Sequence, residues 1–479
     1  MAFPRIARFR TVESLRVHCA AIGAPIPFDD RPLSAAEGSP LASTVTIGGR
    51  VVGNRWCIHP MEGWDATADG RPSEVLLRRW GHFGASGAKL VWGGEAVAVV
   101  PEGRANPHQL CAPACGADGF RMLLDTLRDA HRRAHGRDDD LLVALQLTHS
   151  GRFSRPGAGP RRPVIAFHHP LLDDRHGVAT DLPTIDDDAV ERLIDASVAA
   201  ARDAASAGFE MIDVKACHGY LVHEFLAARR RPGRFGGDLA GRARVLLELV
   251  GRIRAACPQL LVGVRLSLFD TVPWRRVGDR GEPCPAGDAP YDAGFGVAAD
   301  DPTRIDLAEP IALLGMLQRA GVVAVNLSAG NPYATPHLLR PAAFPPSDGY
   351  PPPEDPLLGV WRQIEAARRA REAAPGLVFV GSGYSYLQDY LPHAAQAVVR
   401  GGGIDLVGLG RMVLSYPELP ADLLAGQAPD RPRLCRTFSD CTTAPRHGLR
   451  SGCYPLDPFY KRLTPDRDRL AAVKTAGDG

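Results

Sequence analysis

The chain has 479 residues, 45% of them apolar, with 51 glycines and 42 prolines. That is enough apolar material for a large core, and glycine plus proline stays below the roughly 25–30% of low-complexity chains, so wholesale disorder is excluded. A formal net charge of +2 excludes a strongly basic nucleic-acid-wrapping protein and gives no pull toward anionic membranes.

Residues 1–43 carry loop formers (Pro25, Pro27, Pro32, Gly38, Pro40) and little periodicity, and read as an irregular arm. Val45–Ile47 and Arg50–Val52, joined by Gly48-Gly49, fit a β-hairpin, because both turn positions need positive φ. From there one unit repeats: a short apolar run, a few polar or glycine residues, and an amphipathic segment of helix length. The runs are 56–58, 90–92, 141–146, 211–214, 261–266, 322–327, 377–380 and 406–409; helices are expected over 187–207, 239–256, 309–320, 360–373 and 386–400. Continuous apolar strands alternating with helices imply parallel strands buried on both faces. Eight units give an α/β fold, a (β/α)8 TIM barrel over 44–428 with an N-terminal hairpin, in preference to an open doubly wound sheet, since no GxGxxG follows the first strand. Loops 268–302 and 329–356 are long and follow strand C-termini, where barrel enzymes build their sites, and are expected to be lids or binding loops. Residues 429–479 form a cysteine-containing extension.

No apolar run reaches the ~18 residues of a spanning helix, and the N-terminus has no signal-peptide core. Ten scattered cysteines read as reduced thiols, the last three excepted. The expectation is a cytoplasmic protein with a small-molecule substrate and no nucleic-acid or membrane partner.

The strand ends carry the chemistry. Gly383 and Gly410 follow the last two strands, where backbone N–H groups and a helix N-terminus favour a phosphate, and Arg411 adds a bidentate contact. Lys215, one of only four lysines, directly follows an apolar run and precedes His218 and Tyr220. An extended strand would point 215 away from 218 and 220; a turn after 215 would bring all three to one mouth. A cation here, or Arg265 from the next strand, stabilises an anionic ring or a developing enolate. Gln146 offers a donor and an acceptor to a pyrimidine-like edge. Together they outline a pocket for a planar, phosphorylated, electron-rich cofactor.

These stretches resemble the old yellow enzyme family of NADH:flavin oxidoreductases over roughly residues 45–425. The matching motifs are Asn54-Arg55, His59-Pro60-Met61, Glu95-Ala96, Pro101-Glu102-Gly103-Arg104, 146–152, His218-Gly219-Tyr220, Glu224-Phe225-Leu226, Arg234-Phe235-Gly236-Gly237, Arg242-Ala243-Arg244, Val264-Arg265-Leu266-Ser267 and 405–411. They place the chain nearer the trimethylamine dehydrogenase and 2,4-dienoyl-CoA reductase branch, as its barrel domain only. The resemblance implies FMN lined by Pro60, Met61, Glu62, Ala96, Gln146 and Lys215. Arg265 would stand by the flavin N1–C2=O edge, and Gly383, Gly410 and Arg411 would hold the phosphate. His218 would grip an activating oxygen of the substrate, and Tyr220 would donate a proton to its carbon.

Three departures stand out. Lys215 occupies a position that is usually histidine, or tyrosine in the dehydrogenase branch; a Lys/His pair would favour an anionic substrate group or poise the flavin differently. Glu62 replaces a small hydroxyl or thiol near the flavin C4=O; an ionised carboxylate there would oppose flavin reduction, so it is expected turned away or protonated. Its presence also removes the cysteine used for covalent attachment, so FMN is expected to be non-covalent. In the extension, Cys435, Cys441 and Cys453 keep the spacing of a four-cysteine [4Fe–4S] site whose remaining slot is Phe438. A metal-free vestige, an iron–sulfur cluster with an outside ligand, and zinc with His447 as fourth ligand all remain open.

The activity implied is NAD(P)H-driven hydride transfer from flavin N5 to an activated C=C, with ping-pong kinetics. Two alternatives stay beside it: a flavin-dependent dehydrogenase, desaturase or demethylase passing electrons to oxygen or an external carrier, and a non-catalytic flavin-binding protein. A homo-oligomer is open.

Overall fold

The computed structural model describes residues 3–287 and 290–477. A hairpin of β1 (Val45–Ile47) and β2 (Arg50–Val52) leads into β3 (Trp56–Ile58), β4 (Leu90–Ala98), β5 (Leu142–Thr148), β6 (Met211–Ala216) and β7 (Leu261–Ser267). A second hairpin, β8 (Trp274–Val277) and β9 (Arg280–Pro283), precedes β10 (Ala324–Ser328), β11 (Val378–Gly381) and β12 (Leu406–Leu409). The eight strands β3–β7 and β10–β12 pair in parallel, and β10 joins β7 to close the barrel.

The strand residues explain the closure. β4, β5 and β6 are buried at every position, as parallel strands sandwiched between a packed interior and a helical ring must be. Inside the barrel, Trp92, Leu142, Met211, Val380 and Leu406 pack with Ile47 and Val52 of the first hairpin. That hairpin therefore plugs the N-terminal end of the barrel. A Cβ at Gly48, in its turn, would overlap the Leu261 side chain at the start of β7. With one end sealed, the C-terminal face is left for a site.

Most expected elements lie where the pattern places them, with Asp187–Ala207 and Leu239–Ala256 helical over their full expected lengths. Three differ. Residues 1–43 are not irregular throughout: Val12–Ala21 is a helix, started by a capping box between Thr11 and Ser14 and anchored by buried Leu15 and Cys19. The segment expected as one helix over 386–400 breaks at Gln388 (φ 50°), with a 3-10 stretch Tyr384–Tyr390 before helix Leu391–Arg400. Loop 268–302 folds into the β8–β9 hairpin, and Trp274 N–H donates to Ala334 O (2.9 Å), so it buttresses loop 329–356.

The C-terminal extension packs onto the barrel rather than trailing from it. Buried Arg79 pairs with Asp65 and Glu95 and also donates to Ser451 O (2.9 Å), while Ser451 N–H donates to Asp65 (2.9 Å). One buried guanidinium thus ties the extension to the segment that follows β3. No helix among the described residues is long and apolar enough to cross a membrane.

Candidate active site

A cavity of about 210 Å³ opens at the C-terminal ends of the barrel strands. Pro60, Met61, Glu62, Gln146, Lys215, His218, Tyr220, Arg265, Gly383, Gly410 and Arg411 all line it. Ala96 alone of the expected residues does not. It is fully buried and sits opposite Gln146, because β4 carries a register shift between Gly93 and Ala96. The bulge is made possible by Gly93 (φ 89°) and Gly94 (φ 50°), backbone values that favour glycine. The same bulge lets Gly94 O accept from Met61 N–H (3.1 Å), fixing the loop that lines the pocket.

Strand periodicity puts Asp213 and Lys215 of β6 on the interior, beside Arg265 of β7, which is the cross-strand partner of Lys215. Gln146 donates from Nε2 to Asp213 Oδ2 (2.5 Å), and Asp213 Oδ1 accepts from Arg265 N–H (2.7 Å). Burial pushes Asp213 up to about 6. Arg265 also donates to Pro60 O (2.9 Å), joining the β3 and β7 ends.

After Ala216 the chain turns, and His218 adopts φ 66°. This turn gathers Lys215, His218 and Tyr220 at one mouth. The His218 ring lies 2.7 Å from Ser328 Oγ, and the His218 backbone N–H donates to Ser267 Oγ (3.0 Å). Burial, with Arg265 and Lys215 nearby, holds His218 well below the usual histidine value, so its ring is neutral. Burial and the Glu62 carboxylate push the Tyr220 phenol well up, so it keeps its proton.

Glu62 is not turned away. Its carboxylate points into the cavity, ion-paired with Lys215, and accepts from Tyr220 OH (2.7 Å) and Trp64 Nε1–H (3.3 Å). The Lys215 ammonium lies 3.7 Å from the Tyr220 ring centroid. Lys215 therefore already has a carboxylate partner.

His59 fixes the opposite wall. Ser382 Oγ donates to Leu327 O (2.6 Å), so it accepts from His59 Nε2–H (3.0 Å), and His59 Nδ1 accepts from Asn326 Nδ2 (3.1 Å). Gly408 is required beside it, because a Cβ there would overlap the imidazole.

Several cavity residues left no signal in the sequence pattern: Trp64, Ser328, Tyr333, Arg340 and Arg446. Loop 329–356 supplies Tyr333 and Arg340, and the extension supplies Cys441 and Arg446; the described residues of loop 268–302 supply none. The only available hint was the length of loop 329–356. Cys435, Cys441 and Cys453 are free thiols, and among the described residues no three His, Cys, Asp or Glu side chains are grouped to hold a metal ion. The metal reading of these cysteines gains no support. Phe438, in the vacant slot of their spacing, stacks on Phe344 with ring centroids 5.6 Å apart.

Three arginines of the cavity wall each keep a buried nitrogen without a partner: Arg265 Nε, Arg340 Nη2 and Arg411 Nη1. Buried donors are almost always paired, so these are donors awaiting acceptors. FMN suits them. Arg411 with Gly383 (φ 94°) and Gly410 would hold its phosphate, and Arg265 with Gln146 would meet its pyrimidine edge.

The model of the NADH:flavin oxidoreductase / NADH oxidase family matches residues 46–278. The chain is 26% identical over 422 residues to an NADH:flavin oxidoreductase of Gibberella zeae, covering 84% of this chain and 90% of that one. It is also 26% identical over 381 residues to an NADPH dehydrogenase of Halalkalibacterium halodurans, covering 79% and 90%. Its fold is shared with histamine dehydrogenase from Rhizobium sp. 4-9 (TM-score 0.62, 20% identity, 87% of this chain), of which it spans about half, 52%. The barrel, its cavity and these matches together make the chain an FMN-dependent oxidoreductase that is similar to the NADH:flavin oxidoreductase / NADH oxidase family and to old yellow enzyme.

Proposed function

We propose that the chain reduces electron-poor carbon–carbon double bonds at the expense of NAD(P)H, in the cytoplasm, with FMN bound non-covalently. The observation that carries this reading is the convergence of a protonated phenol, a neutral imidazole and an unpartnered arginine nitrogen in one cavity. When bound, FMN supplies the hydride and is itself recharged by reduced nicotinamide.

His218, its ring held by Ser328, grips the oxygen that activates the alkene. Lys215 adds positive charge one carboxylate away and orients Glu62. Tyr220 holds the proton at its phenolic oxygen and delivers it to the substrate carbon, which requires its O–H to turn from Glu62 Oε2 toward the substrate. Arg265, with a free Nε in a water-poor wall, stabilises negative charge that develops beside it. Trp64, Tyr333 and the Phe153–Tyr220 pair keep water from the mouth.

Both half-reactions share one site, so the kinetics should be ping-pong. The test is anaerobic: NADPH must bleach the flavin absorbance, and 2-cyclohexenone must then restore it. Failure of any enone, nitroalkene or quinone to restore the colour would overturn the reading. Slow bleaching by NADPH and fast bleaching by a saturated substrate would favour the reverse direction.

A further inference from the structure

We propose that Arg340 and Arg446 form a subsite for a carboxylate, so that the alkenes this site takes carry a negatively charged carboxylate as well as an activating oxygen. The proposal rests on the function above.

The two arginines reach the cavity from opposite parts of the chain. Arg340 comes from the loop after β10, and Arg446 ends the short helix Asp440–Arg446 of the extension. Arg340 Nη1 donates to the Thr442 hydroxyl. Thr442 and Arg446 are four residues apart on that helix, hence on one face, so this bond sets Arg340 beside Arg446. Among the described residues Arg340 pairs with no carboxylate, and its buried Nη2 has no partner at all. Burial, and after it like charge from Arg446 and then Arg411, brings Arg340 down to about 9, still cationic at neutral pH.

Arg446 is 10% exposed and lies 5.0 Å from the Tyr333 ring centroid, at the end of the cavity that holds Tyr220. It donates to Pro332 O (3.1 Å) and pairs with Asp348, itself 46% exposed and on the solvent side. The charge balance of the wall agrees. Five cations, Lys215, Arg265, Arg340, Arg411 and Arg446, face a single carboxylate, Glu62. Glu62 answers Lys215; the phosphate and the pyrimidine edge of FMN answer Arg411 and Arg265. Arg340 is left over and Arg446 is answered only from its outer side, by half-exposed Asp348; a planar carboxylate suits a pair of guanidinium forks.

The probes are 4-oxopentanoate and its methyl ester, saturated ketones that differ only in the charge. Calorimetric titration of the FMN-loaded protein should show the acid binding about 10- to 100-fold tighter than the ester. Arg446→Gln and Arg340→Gln should each bring that ratio close to one, Arg446→Lys should retain part of it, and Asp348→Asn, at a half-exposed position, should raise it. In turnover with NADPH, (E)-4-oxo-2-pentenoate should show a lower KM than its methyl ester by a similar factor. A wild-type ratio near one, a ratio that survives Arg446→Gln, or an Arg340→Gln protein that sheds FMN yet keeps the ratio would each overturn the subsite. Acid-selective binding without any enone reduction would sink the proposed activity and leave the subsite; enone reduction without acid selectivity would do the reverse.

Discussion

The Glu62–Lys215 ion pair gives the sharpest test of the site's electrostatics. The two side chains are 14% and 4% exposed, so each is largely withdrawn from water. Removing one member of such a pair strands the other, at a cost of about 3–5 kcal/mol, while replacing both costs little. Here the cost is softened on each side. A stranded Lys215 keeps the Tyr220 ring at 3.7 Å, worth up to about 2 kcal/mol when desolvated. A stranded Glu62 keeps the hydrogen bonds from Tyr220 and Trp64. Each single change, Glu62→Gln or Lys215→Met, should therefore cost about 3 kcal/mol. The double variant should cost far less than their sum, with a coupling of about 2–3 kcal/mol. The assay is urea unfolding of the four FMN-loaded proteins, followed by tryptophan fluorescence. Additivity of the two single changes to within ~0.5 kcal/mol would refute the pairing.

Tyr220→Phe should leave flavin reduction by NADPH intact and slow reoxidation by an enone by about 10²- to 10⁴-fold in stopped flow. Gly408→Ala, whose Cβ would overlap His59 and stand 2.7 Å from Gly381 O, should cost about 1–3 kcal/mol in thermal or urea melts. Asp213 has its folded value raised to about 6, above that of an unfolded aspartate. The folded state therefore binds its proton more tightly between pH 4 and 6, and stability from this group is present below that window and lost as pH rises through it. Asp213→Asn should remove about 3 kcal/mol of that pH dependence, read as the difference between the two stability curves. Arg79→Met, which strips Asp65 and Glu95 of their shared cation and Ser451 O of its donor, should cost about 3–5 kcal/mol and expose the extension to early proteolysis.

The barrel was legible in the sequence because a parallel strand buried on both faces leaves a run of apolar residues, and a helix between two such runs leaves its own period. The residues at strand ends were legible for the same reason: once the strand is placed, Gln146, Lys215, Arg265 and Gly410 fall at its mouth by counting. The arm helix escaped because its start depends on a side-chain cap at Thr11 rather than on a strong apolar stripe. Ala96 stays out of the cavity lining because a bulge at two glycines shifts the register by a step that alternation does not record. Only the tertiary structure decided what Glu62 does, since its partner lies 153 positions away, and only it brought Arg340 and Arg446 to one wall. Periodicity encodes which face of an element is dry. Which distant side chains meet across the barrel mouth is fixed by closure of the sheet and by loops and an extension that have no period to read.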